Sequence, residues 1–178
     1  MTEPPPKPPK PSKAATKFDE VRLHSYLWQR ATEHQKREWE VLLRELRDED
    51  GLQLAQDPGR PDAEPVKPDT LELRLTTEAL EIRRVAADGT RNAVGALALK
   101  ELEVQLAEYQ GIVQRMQDAS NLGDFRRLET LDLAKALCHD QGADRVQRLM
   151  KGVLDLDFPA ARRLFTVVCT LWGEKAGS

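Results

Sequence analysis

Cysteine is scarce in this chain. Cys138 and Cys169 are the only two, and each sits inside an apolar helical pattern. Two such thiols make no disulfide framework and behave as small buried hydrophobes, which suits a reducing cytoplasm. Histidine is nearly as rare: His24, His34 and His139 are scattered along the chain. Cys138 and His139 are adjacent, so on a helix they project about 100° apart rather than toward one ion. With no C-x-x-C or H-E-x-x-H spacing, neither a metal site nor a cofactor is expected. Glycine forms no rich loop ahead of a helix, which removes phosphate-binding loops and dinucleotide fingerprints, and Gly-x-Ser-x-Gly is missing. Long apolar runs are missing too. Leu164 to Trp172 is broken by Thr166 and Thr170 and falls well short of the roughly 18 residues of a membrane span. No secretory leader pattern opens the chain. A cytoplasmic protein without a membrane partner is therefore expected. A basic excess is also absent. Lys and Arg number 27 against 30 Asp and Glu, a net charge of −3, whereas a compact nucleic-acid-binding domain carries a basic surface.

What is present is organised by proline. Six of the eleven prolines lie in Pro4–Pro11, four are Pro58, Pro61, Pro65 and Pro68, and the last is Pro159. Proline is excluded from helix interiors and central strands, so the tracts between these clusters are free to fold regularly. Residues 1–17 read as a disordered Pro/Lys-rich tail of polyproline II character. Its four lysines against Glu3 leave it a charge of +3. Residues 18–173 read as a single domain containing a Pro-rich loop over 55–69, and 174–178 as a disordered C-terminus.

Within the domain, residues near 18–50 read as helical. Trp39, Leu42, Leu43 and Leu46 form an amphipathic stripe, Thr32 with Gln35 has capping-box spacing, and Gly51 is placed as a C-terminal stop. Over 70–99 the period drops to two. Leu71, Leu73 and Leu75 alternate with Glu72 and Arg74, and Ala79–Arg83 alternates as well. Asp88-Gly89 suits a tight hairpin. A third segment offers either Val94, Ala96 and Ala98 or Leu97 and Leu99 as its buried set. Helical spacing returns at Leu102, Leu106, Tyr109, Val113 and Met116. Ser120–Asp124 is a break. Residues 125–150 follow with Phe125, Leu128, Leu131, Leu137, Val146 and Leu149 inward and Gly142 as a bend. A last helix is capped by Asp157 and lined by Ala161, Phe165, Val168 and Trp172. The expected fold is α+β: an N-terminal amphipathic helix, a three-stranded antiparallel β-meander, and three C-terminal helices packed on it. A small sheet of this kind needs helices on its apolar face.

The charges that stand out are Asp155, Asp157, Arg162 and Arg163. Adjacent arginines at a helix start oppose the macrodipole. They read as ion pairs with Asp157 or Asp155, as a solvated face, or as a site for an anion or an acidic partner. The other arginine pairs, Arg83-Arg84 with Arg91, Arg126-Arg127 and Arg145 with Arg148, are diluted by acids.

The run Asp157-Phe158-Pro159-Ala160-Ala161-Arg162-Arg163-Leu164-Phe165-Thr166 resembles the closing segment of an uncharacterised alphaproteobacterial protein family, UPF0262. Glu33-His34-Gln35-Lys36-Arg37 is similar to that family's Glu-His-Glu-Arg element, with Gln35 where an acid is usual. Asp88-Gly89 and Leu97-Ala98-Leu99 also look like family features, and the likeness spans roughly residues 18 to 172. The family has no assigned activity, so the resemblance implies no catalytic residues. The candidate interaction residues are Arg162, Arg163, Asp157, His34 and Arg37. Three functions stay open. The first is a non-enzymatic protein-interaction or regulatory module with a protein partner. The second is an RNA- or DNA-associated protein using the lysine tail and arginine pairs. The third is an enzyme with an unrecognised site around His34 and Arg37.

Overall fold

The computed structural model describes residues 18–55 and 70–176, so the readings of residues 1–17 and of nearly all the 55–69 loop lie outside the described residues. The chain runs β1 (Glu20–Leu23), α1 (Ser25–Arg30), α2 (Glu33–Asp48), β2 (Leu52–Leu54), β3 (Thr70–Leu75), β4 (Ala79–Val85) and β5 (Arg91–Ala98). A short 3₁₀ turn over Leu99–Leu102 leads into α3 (Glu103–Asn121), α4 (Phe125–Leu149), β6 (Leu154–Leu156) and α5 (Phe158–Ala176). The fold is α+β. The helix α5 covers 174–176 of the stretch read as a disordered C-terminus, and 177–178 lie outside the described residues.

The β3-β4-β5 meander is antiparallel, but the sheet has a fourth member. β1 pairs with β3 in parallel, giving a mixed sheet of order β1-β3-β4-β5. The helix expected from residue 18 therefore begins as a strand. Val21 and Leu23 are buried on the sheet's inner face, and four residues are too few for alternation to declare itself. The helix α2 is capped as its sequence suggests: Thr32 Oγ1 accepts from Gln35 N–H at 3.2 Å and Gln35 Oε1 accepts from Thr32 N–H at 2.7 Å. It ends at Asp48 without a left-handed glycine.

Gly51 has a different purpose from a helix stop. A Cβ there would fall within 2.2 Å of the Asp157 carboxyl atoms. Asp157 N–H donates to Gly51 O at 3.1 Å, while Asp157 Oδ1 accepts from Ala160 N–H at 2.9 Å to cap α5. The end of α2 is thus pinned to the start of α5, and the two-stranded β2–β6 ladder beside it extends the junction.

The hairpin between β4 and β5 is not a two-residue turn. Ala86 N–H donates to Thr90 O across Ala87–Gly89, and only Gly89 takes a positive φ, +85°. Asp88 avoids a positive φ, and hydrogen bonding from the Thr90 side chain and then from Thr90 N–H holds its carboxyl below the usual range. The buried set of the third segment is Leu97 in β5 and Leu99 at the start of the 3₁₀ turn, and a bulge at Val94 resets the register against Ile82 and Arg83.

The core fills the space between the sheet and the helices. Leu71, Leu73, Leu80, Ile82 and Leu97 meet Trp39, Leu43 and Leu46 of α2 and Leu164, Phe165 and Val168 of α5. Along α5 the expected face is buried at Ala161, Phe165 and Val168. The helix α4 runs unbroken through Gly142, whose Cβ would lie 2.4 Å from the Phe165 ring. Glycine there admits the ring rather than bending the helix. In α3 it is Ile112, not Val113, that is buried, and in α4 Phe125 and Leu137 point outward. The outer halves of α3 and α4 form an arm with its own small core of Ile112, Ala119, Leu131 and Cys138. Among the described residues, no helix is long and apolar enough to cross a membrane.

Candidate functional site

The site grows from one residue that breaks the pattern of its strand. Glu72 lies between Leu71 and Leu73 on the sheet face opposite the core, yet it is 2 % exposed. A buried carboxylate without partners would be costly. Glu72 Oε2 accepts from Arg22 Nε at 3.3 Å and Oε1 from Arg91 Nε at 3.1 Å. Arg22 is its direct neighbour on β1, and Arg91 reaches in from β5. This trio locks β1 onto the sheet and lines one end of a cleft of about 720 Å³.

The cleft runs between β1 and the helices α1 and α2. Val21, Leu23, Trp28 and Leu43 give it an apolar floor, with Arg44, Arg47 and Glu40 on the α2 wall and Glu20 beside β1. Arg47 is engaged by the neighbouring Asp48 at 2.9 Å. Arg44 is exposed and forms no ion pair with a described residue. The β1 backbone adds a second feature. His24 N–H donates to Leu73 O at 2.8 Å, while its carbonyl accepts from Leu27 N–H, so Arg22 directs its main-chain groups, and His24 its N–H, toward β3. The N–H and C=O of Val21 and Leu23 then face the other edge, where no strand is paired among the described residues. An open strand edge over apolar side chains, facing a cationic helix wall, can receive an extended segment.

The residues singled out from the sequence lie elsewhere. Arg163 Nε donates to Glu49, the residue that caps the end of α2, at 2.9 Å and its Nη1 to Glu45 on α2, while Arg162 Nε donates to Asp140 of α4 at 2.9 Å. The carboxylates that offset the macrodipole conflict are therefore on neighbouring helices, not Asp155 or Asp157. Asp157 is occupied as the α5 cap. His34 and Arg37 are exposed near the start of α2 and do not line the cleft. These five residues do not converge.

His139 is buried on α4 against Tyr109 and Phe165, edge-on to both, with Thr166 Oγ1 3.3 Å from its Nδ1. Burial, with Arg162 and Lys135 nearby, drives its pKa down to about 4. Burial raises Cys138 to about 11 and pushes Cys169 further up, so both stay thiols. Thiols so held are poor nucleophiles. Among the described residues, no group of three His, Cys, Asp or Glu side chains is arranged to hold a metal ion.

The cleft was missed in the sequence because its parts are distant in the chain.

A family model described as "Uncharacterised protein family (UPF0262)" matches residues 15–173. The chain is similar to a UPF0262 protein of Mesorhizobium japonicum, 29% identical over 142 residues, covering 80% of this chain and 84% of the relative. A UPF0262 protein of Allorhizobium ampelinum is 30% identical over 112 residues, 63% of this chain and 71% of the relative. One from Maricaulis maris is 30% identical over 112 residues, 63% and 70% respectively. No solved structure matches the chain.

Proposed function

Because the chain belongs to UPF0262, a family described as uncharacterised, we propose its function from geometry: it is a protein-interaction module that takes an extended acidic segment of a partner into the β1–α2 cleft. The observation that carries this reading is the edge of β1 that no described strand pairs, facing Arg44. The partner segment pairs its main chain with Val21 and Leu23. It lays apolar side chains on Trp28 and Leu43 and sets carboxylates against Arg44 and Arg47. Glu72 has a positioning role: it holds Arg22 and Arg91 in place and keeps β1 rigid as a template. Strand addition supplies affinity through main-chain hydrogen bonds, and the charged wall supplies selectivity and encounter rate.

The nucleic-acid reading finds less support. Of the chain's arginines, Arg83, Arg91, Arg145, Arg148, Arg162 and Arg163 each engage a carboxylate, which leaves these six less available to phosphates, and the lysine tail lies outside the described residues.

The test is a titration of the full chain with a short peptide of alternating glutamate and valine, followed by isothermal calorimetry. Binding is expected to weaken at least about tenfold in Arg44→Glu, with the unfolding midpoint unchanged. A peptide N-methylated at alternate amides loses the ladder and is expected not to bind. Equal binding of the methylated and unmethylated peptides would remove the strand-addition mechanism. Equal binding by Arg44→Glu would remove the cleft.

A further inference from the structure

The α3–α4 arm carries apolar surface that no other described residue covers. Leu122 is 77% exposed, Phe125 75%, Leu133 70% and Leu137 62%. Scattered exposed leucines need no explanation, but Leu133 and Leu137 stand one turn apart on the same face of α4. Its layout on α4 is ordered. Arg126, Thr130, Leu133, Leu137, Asp140 and Asp144 recur at alternating spacings of four and three, and all are exposed. They form one straight seam on the side opposite the buried stripe of Leu131, Cys138, Gly142 and Val146. A seam with this spacing is the surface one helix offers to another.

The charges on the seam say which helix. Arg126 and Asp144 are equidistant from the midpoint between Leu133 and Leu137. A two-fold axis through that midpoint, perpendicular to α4, lays each Leu133 against the second copy's Leu137. The same operation sets Arg126 beside the second copy's Asp144, and Thr130 beside its Asp140. A two-fold contact must be self-complementary in this way. Lys135, which falls at the midpoint, is no obstacle. Its ammonium is drawn back over the Tyr109 ring, 5.9 Å from the centroid, away from the seam. Arg126 forms no ion pair with a described residue, and Asp144 is held only by an exposed pair with Arg148 on its own helix. Both are free to exchange partners at little cost.

We infer that the occupant of this seam is a second copy of the chain, its α4 packed antiparallel on the first, with Leu133 and Leu137 at the centre and an Arg126–Asp144 pair at each end. The contact leaves the β1–α2 cleft of each copy outside the interface and does not depend on the peptide-binding reading.

Sedimentation velocity of the full chain over a concentration series tests this. The wild type is expected to sediment as a dimer, and a monomer at all concentrations, or an assembly larger than two, would overturn the inference. Arg126→Glu and Asp144→Arg are each expected to raise the dissociation constant at least about tenfold, since symmetry places each change at both ends of the seam. The doubly swapped chain is expected to recover the dimer. Within one chain these residues lie roughly 27 Å apart along the helix, at 1.5 Å per residue, so recovery requires contact between copies. Loss of the dimer in both single variants without recovery in the double would overturn the antiparallel register. Circular dichroism of each variant confirms that the fold is kept.

Discussion

Around α5, Leu164, Phe165 and Val168 are enclosed by the sheet on one side and by α2 and α4 on the others. In the arm, Ile112, Ala119, Leu131 and Cys138 are buried between only two helices, and Leu133 and Leu137 on the far face of α4 meet solvent. The same types of side chain therefore do different things in the two regions. Three layers close over α5, so its apolar content is spent on folding. Two helices can bury only one stripe each, and whatever apolar surface remains is available for association. The body has its own opening in the β1–α2 cleft, where the exposed feature is a polar strand edge rather than an apolar stripe.

The contrast can be broken most sharply by truncation. Phe165→Ala in the body is expected to cost about 3–5 kcal/mol, as for other fully buried aromatic side chains. Leu133→Ala on the arm should cost the isolated monomer less than about 0.5 kcal/mol. Denaturant unfolding of the two variants at low concentration measures both, and similar costs would erase the distinction.

Crowding at the α4–α5 contact sharpens the same point. Gly142→Ala places a methyl against the Phe165 ring and is expected to destabilise by about 1–3 kcal/mol. Adding Phe165→Leu should recover part of that loss, making the two changes non-additive in an unfolding double-mutant cycle.

His139 sits where body and arm meet, between Tyr109 of α3 and Phe165 of α5. Its folded-state pKa of about 4 lies below the ordinary histidine value of 6.5, so between those values the unfolded chain binds the extra proton. The contribution is complete above about pH 6.5 and lost as pH falls toward 4, worth on the order of 1–2 kcal/mol after allowing for solvent screening. In His139→Phe the slope of stability against pH across that window should be smaller than in the wild type. An unchanged slope would mean that His139 is not held neutral.

The smallest effect is local. Asp157→Ala removes the α5 cap and is expected to cost about 1 kcal/mol, read as a lower unfolding midpoint. The arm should be unaffected, as judged by hydrogen exchange in α3 and the first half of α4.

The meander, the α2 stripe with its capping box, and the α5 face could be read from the chain because each follows a periodicity or spacing contained in one segment. What could not be read depends on partners far away. Gly51 and Gly142 looked like a helix stop and a bend, but their function is to make room for Asp157 and Phe165. Leu137 and Phe125 fit a helical period yet face solvent, since period alone does not say how many sides of a helix are covered. Glu72 looked like an ordinary outward residue of an alternating strand. Its burial becomes visible only once Arg22 and Arg91 converge from β1 and β5. Arg162 and Arg163 were conspicuous as a pair, and the structure turns them apart to brace α5 against α4 and α2.

The account rests on two separate surfaces, a cleft on the body for a peptide and a seam on the arm for a second copy. Native mass spectrometry of the wild type and of Leu133→Glu/Leu137→Glu, each with the alternating glutamate–valine peptide, tests this directly. The account predicts a wild-type dimer carrying up to one peptide per copy and a variant monomer that still carries its peptide. A variant that remains dimeric, or a folded monomer that has lost the peptide, would contradict it.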